Sequence, residues 1–302
     1  MFFKNLHVYQ LAAGWEMAPG TLEAALSKMP LTPCTGLSTL SRGWVPPYGD
    51  QGLVQSYEKH MLIALGVEQK VLPTSVIKQE LKLRAVDLEK AQGYKPGKKQ
   101  MRDLAERITV ELLPRAFSKQ RVTRAWIDVQ NGYIVVDAST AGRCEELLEH
   151  LRNTLGELPV MRLETKMSPQ SAMTQWLSAG DSPGHFAMDS NCDLKGLGEE
   201  ASAVRYTRHD LSVKEIRDHI GGGKVATRLS LLWRDRISLT LTEPMAMIKV
   251  KFLAMQAESD PSQTDFRSAE EIFEADFALM TGAYVEVIKD MIAALGGKEA
   301  AA

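Results

Sequence analysis

Three β-type runs, at 225–233, 237–241 and 245–252, follow one another in the last third of the chain with no helical run between them. Consecutive strands of this kind pair antiparallel, because a parallel pair needs a long crossover connection. Elsewhere, helical and β-type runs mix without the regular alternation of a doubly wound sheet. The chain is therefore expected to be α+β, with mixed, mainly antiparallel sheets. Its 302 residues, 44% hydrophobic and 25% charged, suffice for a substantial core.

The N-terminal half supplies further elements. Residues 2–11 are aromatic and β-branched with rough alternation and predict a strand, and helical character follows at 21–29. Residues 53–72 predict one or two strands ending at Pro73. From Thr74 to Gln92, apolar residues recur at Ile77, Leu81, Ala85 and Leu88, the period of a helix. Gly93 to Gly97 breaks that pattern, and a second helix is predicted from Lys98 until Pro114 stops it. These two segments form a helical hairpin rich in lysine and arginine. Strands at 121–129 and 133–138 flank Asn131-Gly132, a hairpin turn signal. A helix at 140–155 ends at Gly156. Residues 168–211 carry several glycines among short β-like pieces and predict a small protruding subdomain. A last helix is expected from about Glu270 to Leu295. The divisions expected are 1–165, 166–222 and 223–302.

Charge is polarised along this order. Residues 78–124 hold 13 Lys and Arg against 6 Asp and Glu, an excess of seven inside a chain whose net charge is −2. Residues 254–302 are the counterweight, with 10 acids and 3 bases. A basic stretch in a nearly neutral chain is the usual footprint of a polyanion-binding face. Between Leu112 and Ile127 it sharpens, because Arg115, Lys119, Arg121 and Arg124 have no acid among them. Candidate nucleic-acid-binding residues are these four with Lys78, Lys82, Lys98 and Lys99 of the hairpin. Strand alternation sends Arg121 and Arg124 to opposite faces, so a site is expected to draw on the loop residues Arg115 and Lys119 plus one of the two. The competing reading of the hairpin is a solvated face. Glu80/Arg84, Lys99/Asp103, Arg102/Glu106 and Asp103/Arg107 all stand at the spacing of surface ion pairs.

Complete catalytic constellations are missing. Gly93-Tyr94-Lys95-Pro96-Gly97-Lys98-Lys99 is one residue short of a phosphate-binding loop, lacks its Ser or Thr, and follows a helix where a strand is required. Gly221-Gly222-Gly223-Lys224 likewise follows a helix. Glu68-Gln69-Lys70 with Asp50 has the residue types of a metal-dependent phosphodiesterase, and equally those of an exposed strand edge. The six histidines form no ligand pair, and the three cysteines share no metal spacing. No catalytic residue, metal or cofactor is expected. Reduced thiols, the lack of a signal peptide and the lack of an apolar run near the roughly 18 residues of a membrane span point to a cytoplasmic protein with no membrane association. Phe117 sits in a basic neighbourhood, where it either anchors the turn to the core or fills a pocket on a partner subunit. Arg205 to His209 is either a polar strand or a basic tip.

Several motifs together carry a resemblance. Phe3-Lys4-Asn5-Leu6 with Val8-Tyr9, Thr32-Pro33-Cys34, Gly43-Trp44-Val45-Pro46-Pro47, Leu72-Pro73 with Val76-Ile77-Lys78-Gln79, and Leu112-Leu113-Pro114-Arg115-Ala116-Phe117 run in order along the first half. Trp126-Ile127-Asp128, Asn131-Gly132, Leu158-Pro159-Val160, Ala275-Asp276-Phe277 and Leu279-Met280-Thr281-Gly282 continue it. The chain resembles the recombination-associated protein RdgC family from end to end.

That resemblance implies a nucleoid-associated, ring-forming homodimer that encloses double-stranded DNA with little sequence preference. It also implies antagonism of RecA-driven recombination and action at replication forks. By the same resemblance, Phe117 helps close a dimer interface. Arg208 and His209 match a polar pair at the tip of the subunit that reaches towards DNA, where the family more commonly has a Lys-Gln type of pair. The alternatives are a metal-dependent nuclease and a recombination regulator that acts only through protein contacts.

Overall fold

The computed structural model describes residues 2–50, 52–198, 201–253 and 268–299. Its strands are β1 Asn5–Leu11, β2 Leu40–Val45, β3 Val54–Tyr57, β4 His60–Val71, β5 Phe117–Asp128, β6 Tyr133–Asp137, β7 Val160–Arg162, β8 Phe186–Gly196, β9 Ala203–Tyr206, β10 Lys224–Trp233, β11 Ile237–Thr242 and β12 Ala246–Phe252. The helices are α1 Pro19–Leu26, α2 Thr74–Gln92, α3 Lys98–Leu112, α4 Ala141–Leu155, α5 Pro169–Ala179, α6 Lys214–Gly221 and α7 Ala269–Ala294. The α+β expectation stands, with strand pairing antiparallel in every registered ladder.

Two compact units divide the chain. The first comprises Met1–Pro19, Gln55–Leu62 and Arg124–Ala302, and the second Gly20–Val54 and Ile63–Thr123. This differs from the sequential three-part division expected from composition. The stretch 166–222, expected to stand out as a subdomain, contributes β8 to a long ladder with β10, from Phe186↔Trp233 to Gly196↔Lys224.

In the first unit the strand order is β6-β1-β12-β11-β10-β8-β9, with β7 also on β1. The three consecutive strands read from the sequence are β10, β11 and β12, as an antiparallel meander. Helix α7 covers part of this core. It starts on a capping box in which Ser268 Oγ accepts from the Glu271 amide at 3.1 Å and Glu271 returns to the Ser268 amide at 2.7 Å. Its Tyr284 hydroxyl donates to the Phe3 carbonyl at 2.7 Å, so burial of this phenol leaves no polar atom unpaired. His60 is tied in at the other side: its Nδ1 accepts from Trp126 Nε1 at 3.1 Å and lies 3.9 Å from the buried Asp128 carboxylate. The three cysteines are buried free thiols.

The second unit holds β2, β4 from Ile63 onward and β5 as far as Thr123, paired in the order β2-β4-β5, and carries α1, α2 and α3. Gly43 and Gly66 face each other across β2 and β4. A Cβ on Gly43 would run into the backbone of Pro30 and Leu31, because residues 29–31 lie directly against β2 and exchange hydrogen bonds with Trp44 at 2.9 and 3.0 Å. Among the described residues of α2, none is buried. That helix is held chiefly by α3, through Arg84, whose guanidinium bonds Glu80 at 2.7 Å and Glu111 at 2.7 and 3.1 Å.

Candidate nucleic-acid interface

The basic turn after α3 is built by hydrogen bonds from β4. Lys70 Nζ donates to the carbonyls of Leu113 and Pro114 at 3.0 and 3.2 Å, fixing the 3-10 turn Leu113–Arg115. Two residues earlier, Glu68 accepts from the Cys34 amide at 3.2 Å and from Gln120 Nε2 at 3.0 Å. Hydrogen bonds from Gln120 and Ser118 hold its carboxyl below the ordinary value of 4.5. The pair considered for metal catalysis thus orients the segment that carries Arg115, Phe117 and Lys119. Among the described residues, no group of three or more His, Cys, Asp or Glu is arranged to hold a metal ion.

The candidate cations separate into two sets. Lys78, Lys82, Lys98, Lys99, Arg115 and Lys119 are exposed and form no ion pair among the described residues. Arg121 and Arg124 are half-buried and already hold interactions within the chain. Arg124 is paired in register with Asp137 across β5 and β6. Lys119 is a strand residue rather than a loop residue, since β5 begins at Phe117. Of the four surface ion pairs expected on the hairpin, Glu80–Arg84 forms at 2.7 Å and Arg102–Glu106 at 3.8 Å. Lys99/Asp103 and Asp103/Arg107 are not paired, which leaves Lys99 available.

Lys98 and Lys99 open α3, whose first turn holds no acid. The helix dipole favours negative charge at that end, so two lysines there gain from a neighbouring anion. The N-cap is Gly97, whose amide is met by Gln100 Oε1 at 2.9 Å. Phe117 is 88% exposed, which removes the core-anchor reading of this residue. Val71, Val76, Leu83, Val86, Val110 and Val122 of the same unit are exposed as well.

In the other unit, Arg208 and His209 lie exposed in the turn after β9. Arg208 takes a φ of 53°, and its amide donates to Asn191 Oδ1 at 3.2 Å. His209 Nδ1 is 2.8 Å from the Asp210 carbonyl, and its ring stands 5.2 Å from Tyr206. The guanidinium is thus carried on a turn whose backbone is pinned to β8.

Residues 1–298 match the family described as "Putative exonuclease, RdgC". The chain belongs to the RdgC family. It is 44% identical over 301 residues to the recombination-associated protein RdgC of Dechloromonas aromatica, covering 99% of this chain and 98% of that one. Identity to the RdgC proteins of Janthinobacterium sp. strain Marseille and Cupriavidus pinatubonensis is 42% and 40%, over 99% and 100% of each chain. An RdgC-type chain is associated by name with recombination, a process on DNA, and the exposed cations of α3 and the following turn suit that setting. No helix among the described residues is long and apolar enough to cross a membrane.

Proposed function

We propose that the protein binds double-stranded DNA without sequence preference, as a closed homodimer, and does no chemistry on it. The observation that carries this reading is the set of exposed, unpaired cations, Lys98 and Lys99 at the start of α3 and Arg115 and Lys119 on the segment that Lys70 and Glu68 pin, in a chain of a recombination-associated family. Lysine and arginine contacts to phosphates give affinity that is independent of sequence and steeply weakened by salt. Exposed Phe117 and the other exposed apolar side chains of its unit support self-association. The family resemblance supports a nucleoid location, a ring that surrounds the duplex and restraint of RecA at recombining DNA and replication forks.

The test is binding of the purified protein to linear and covalently closed duplexes of unrelated sequence across a salt series, with its mass in solution measured alongside. A dimer that binds all sequences alike, loses affinity steeply with salt and leaves linear DNA faster than closed DNA supports the reading. No binding at low salt overturns it in favour of a regulator acting through protein contacts. The family description as an exonuclease makes a second assay necessary: magnesium-dependent loss of DNA ends that Glu68→Gln abolishes would overturn the non-enzymatic part.

A further inference from the structure

The ladder joining β11 to β12 is irregular at one point. Ser238 pairs with Lys251 and Thr240 with Ile248, so two steps along β11 match three along β12. Lys249 lies in this bulge with a φ of 55°. An L side chain is disfavoured there because its Cβ crowds the following carbonyl, and glycine is the residue usually found. The bulge changes what β12 presents. Met247 and Val250 are both buried although three residues apart, a spacing that an unbroken strand would send to opposite faces. Lys249 and Lys251 are both exposed, lining a cleft of about 350 Å³ between β8, β9, β10, β11 and β12.

Charge and chemistry define what the cleft takes. Its charged residues are Arg205, Arg228, Lys249 and Lys251 against Asp189 and Asp193, four cations to two carboxylates. Asp193 is engaged by Arg205 at 3.0 and 3.2 Å and lies 3.8 Å from Arg228. Lys249 and Lys251 form no ion pair among the described residues. Ser230 and Thr240 also line it, 7% and 9% exposed, with their hydroxyl oxygens 3.3 Å apart. An apolar partner seated here would strand the hydroxyl proton that the Ser230–Thr240 hydrogen bond leaves free and bury ammonium groups. An oxyanion accepts from both.

The geometry points to a phosphate-binding site in this cleft, with Lys249 and Lys251 as its principal cations and Arg228, steadied by Asp193, beside them. Backbone strain at Lys249 coincides with the position of a ligand-binding ammonium, where such strain commonly collects. The source of the phosphate rests on the DNA-binding reading: it is the backbone of a duplex, and the cleft adds a sequence-independent grip separate from the basic turn.

The experiment compares the full chain with a Lys249→Gly, Lys251→Gln variant. Glycine accepts the left-handed backbone, so the bulge survives while both ammonium groups are removed, and an unchanged or raised melting temperature checks this. In duplex DNA titrations the variant should lower the slope of log affinity against log salt by about one to two. Inorganic phosphate at constant ionic strength should raise the melting temperature of the wild type but not of the variant. The phosphate site is overturned if the variant changes neither the salt slope nor the phosphate response. If that happens while Arg115 and Lys119 charge reversals still weaken DNA binding, the DNA reading stands without the cleft. If the wild type binds no DNA yet shows a phosphate response that the variant lacks, the site stands with a free phosphorylated ligand as its source and the DNA reading fails.

Discussion

At the scale of single residues, the environment reverses what residue type alone suggests. Glu68 and Lys70 have the chemistry of a metal site but are occupied in holding a turn, and Phe117 is an aromatic left in water. Phe117→Ala should therefore leave the fold within about 0.5 kcal/mol of the wild type while shifting the proposed dimer towards monomer, read by urea unfolding and by mass against concentration. His60 gives a prediction in pH. Burial lowers its pKa below 6.5 despite the opposing Asp128 and Glu58, and a protonated Nδ1 could no longer accept from Trp126. A lowered histidine pKa means that the unfolded chain binds more protons between the two values, so stability is full above 6.5 and falls as pH drops through the folded value. The melting temperature should decline from pH 7 to pH 5, and His60→Gln should flatten that decline in part, since His7 is shifted the same way. A decline that His60→Gln leaves unchanged would place the effect elsewhere.

At the scale of elements, punctuation decided what the sequence disclosed. Pro73, Gly93, Gly97 and Pro114 bracket α2 and α3, and both helices begin where the sequence reading placed them. Helix α5 was hidden in a glycine-bearing stretch, although Ser168 and Pro169 at its start, Gly180 at its end and the buried stripe Ala172, Met173, Trp176 and Leu177 are ordinary helix signals. The early start of β5 at Phe117 was not legible, because residues 117–122 lack apolar alternation and are held partly by the Glu68–Gln120 bond, a long-range contact. The cleft at Lys249 was equally invisible, since strand alternation misassigns faces beyond a bulge. The close approach at β2 yields its own test. Gly43→Ala should destabilise by about 2 kcal/mol or more, as its methyl meets the backbone of Pro30 and Leu31 rather than a side chain that can move. Gly142→Ala, with nothing within 4 Å, is the control and should be near neutral in the same urea titration.

At the scale of the whole molecule, near-neutral net charge conceals a separation of sign. The basic excess lies in one compact unit, and the acidic counterweight begins in 254–267, outside the described residues, and continues along α7. Arg115→Glu with Lys119→Glu should weaken binding to unrelated duplexes by a similar factor and flatten its salt dependence; a loss confined to one sequence would contradict a backbone-reading mode. Helix α2 has a further consequence. With no buried side chain, its amides are guarded by little more than the helix itself and its ties to α3. Its backbone should exchange hydrogen for deuterium far sooner than that of α7, whose inward face includes Phe277, Met280, Tyr284 and Ile288. Slowing of that exchange as protein concentration rises would turn the hairpin into a built-in reporter of assembly, legible by mass spectrometry without any label or substitution.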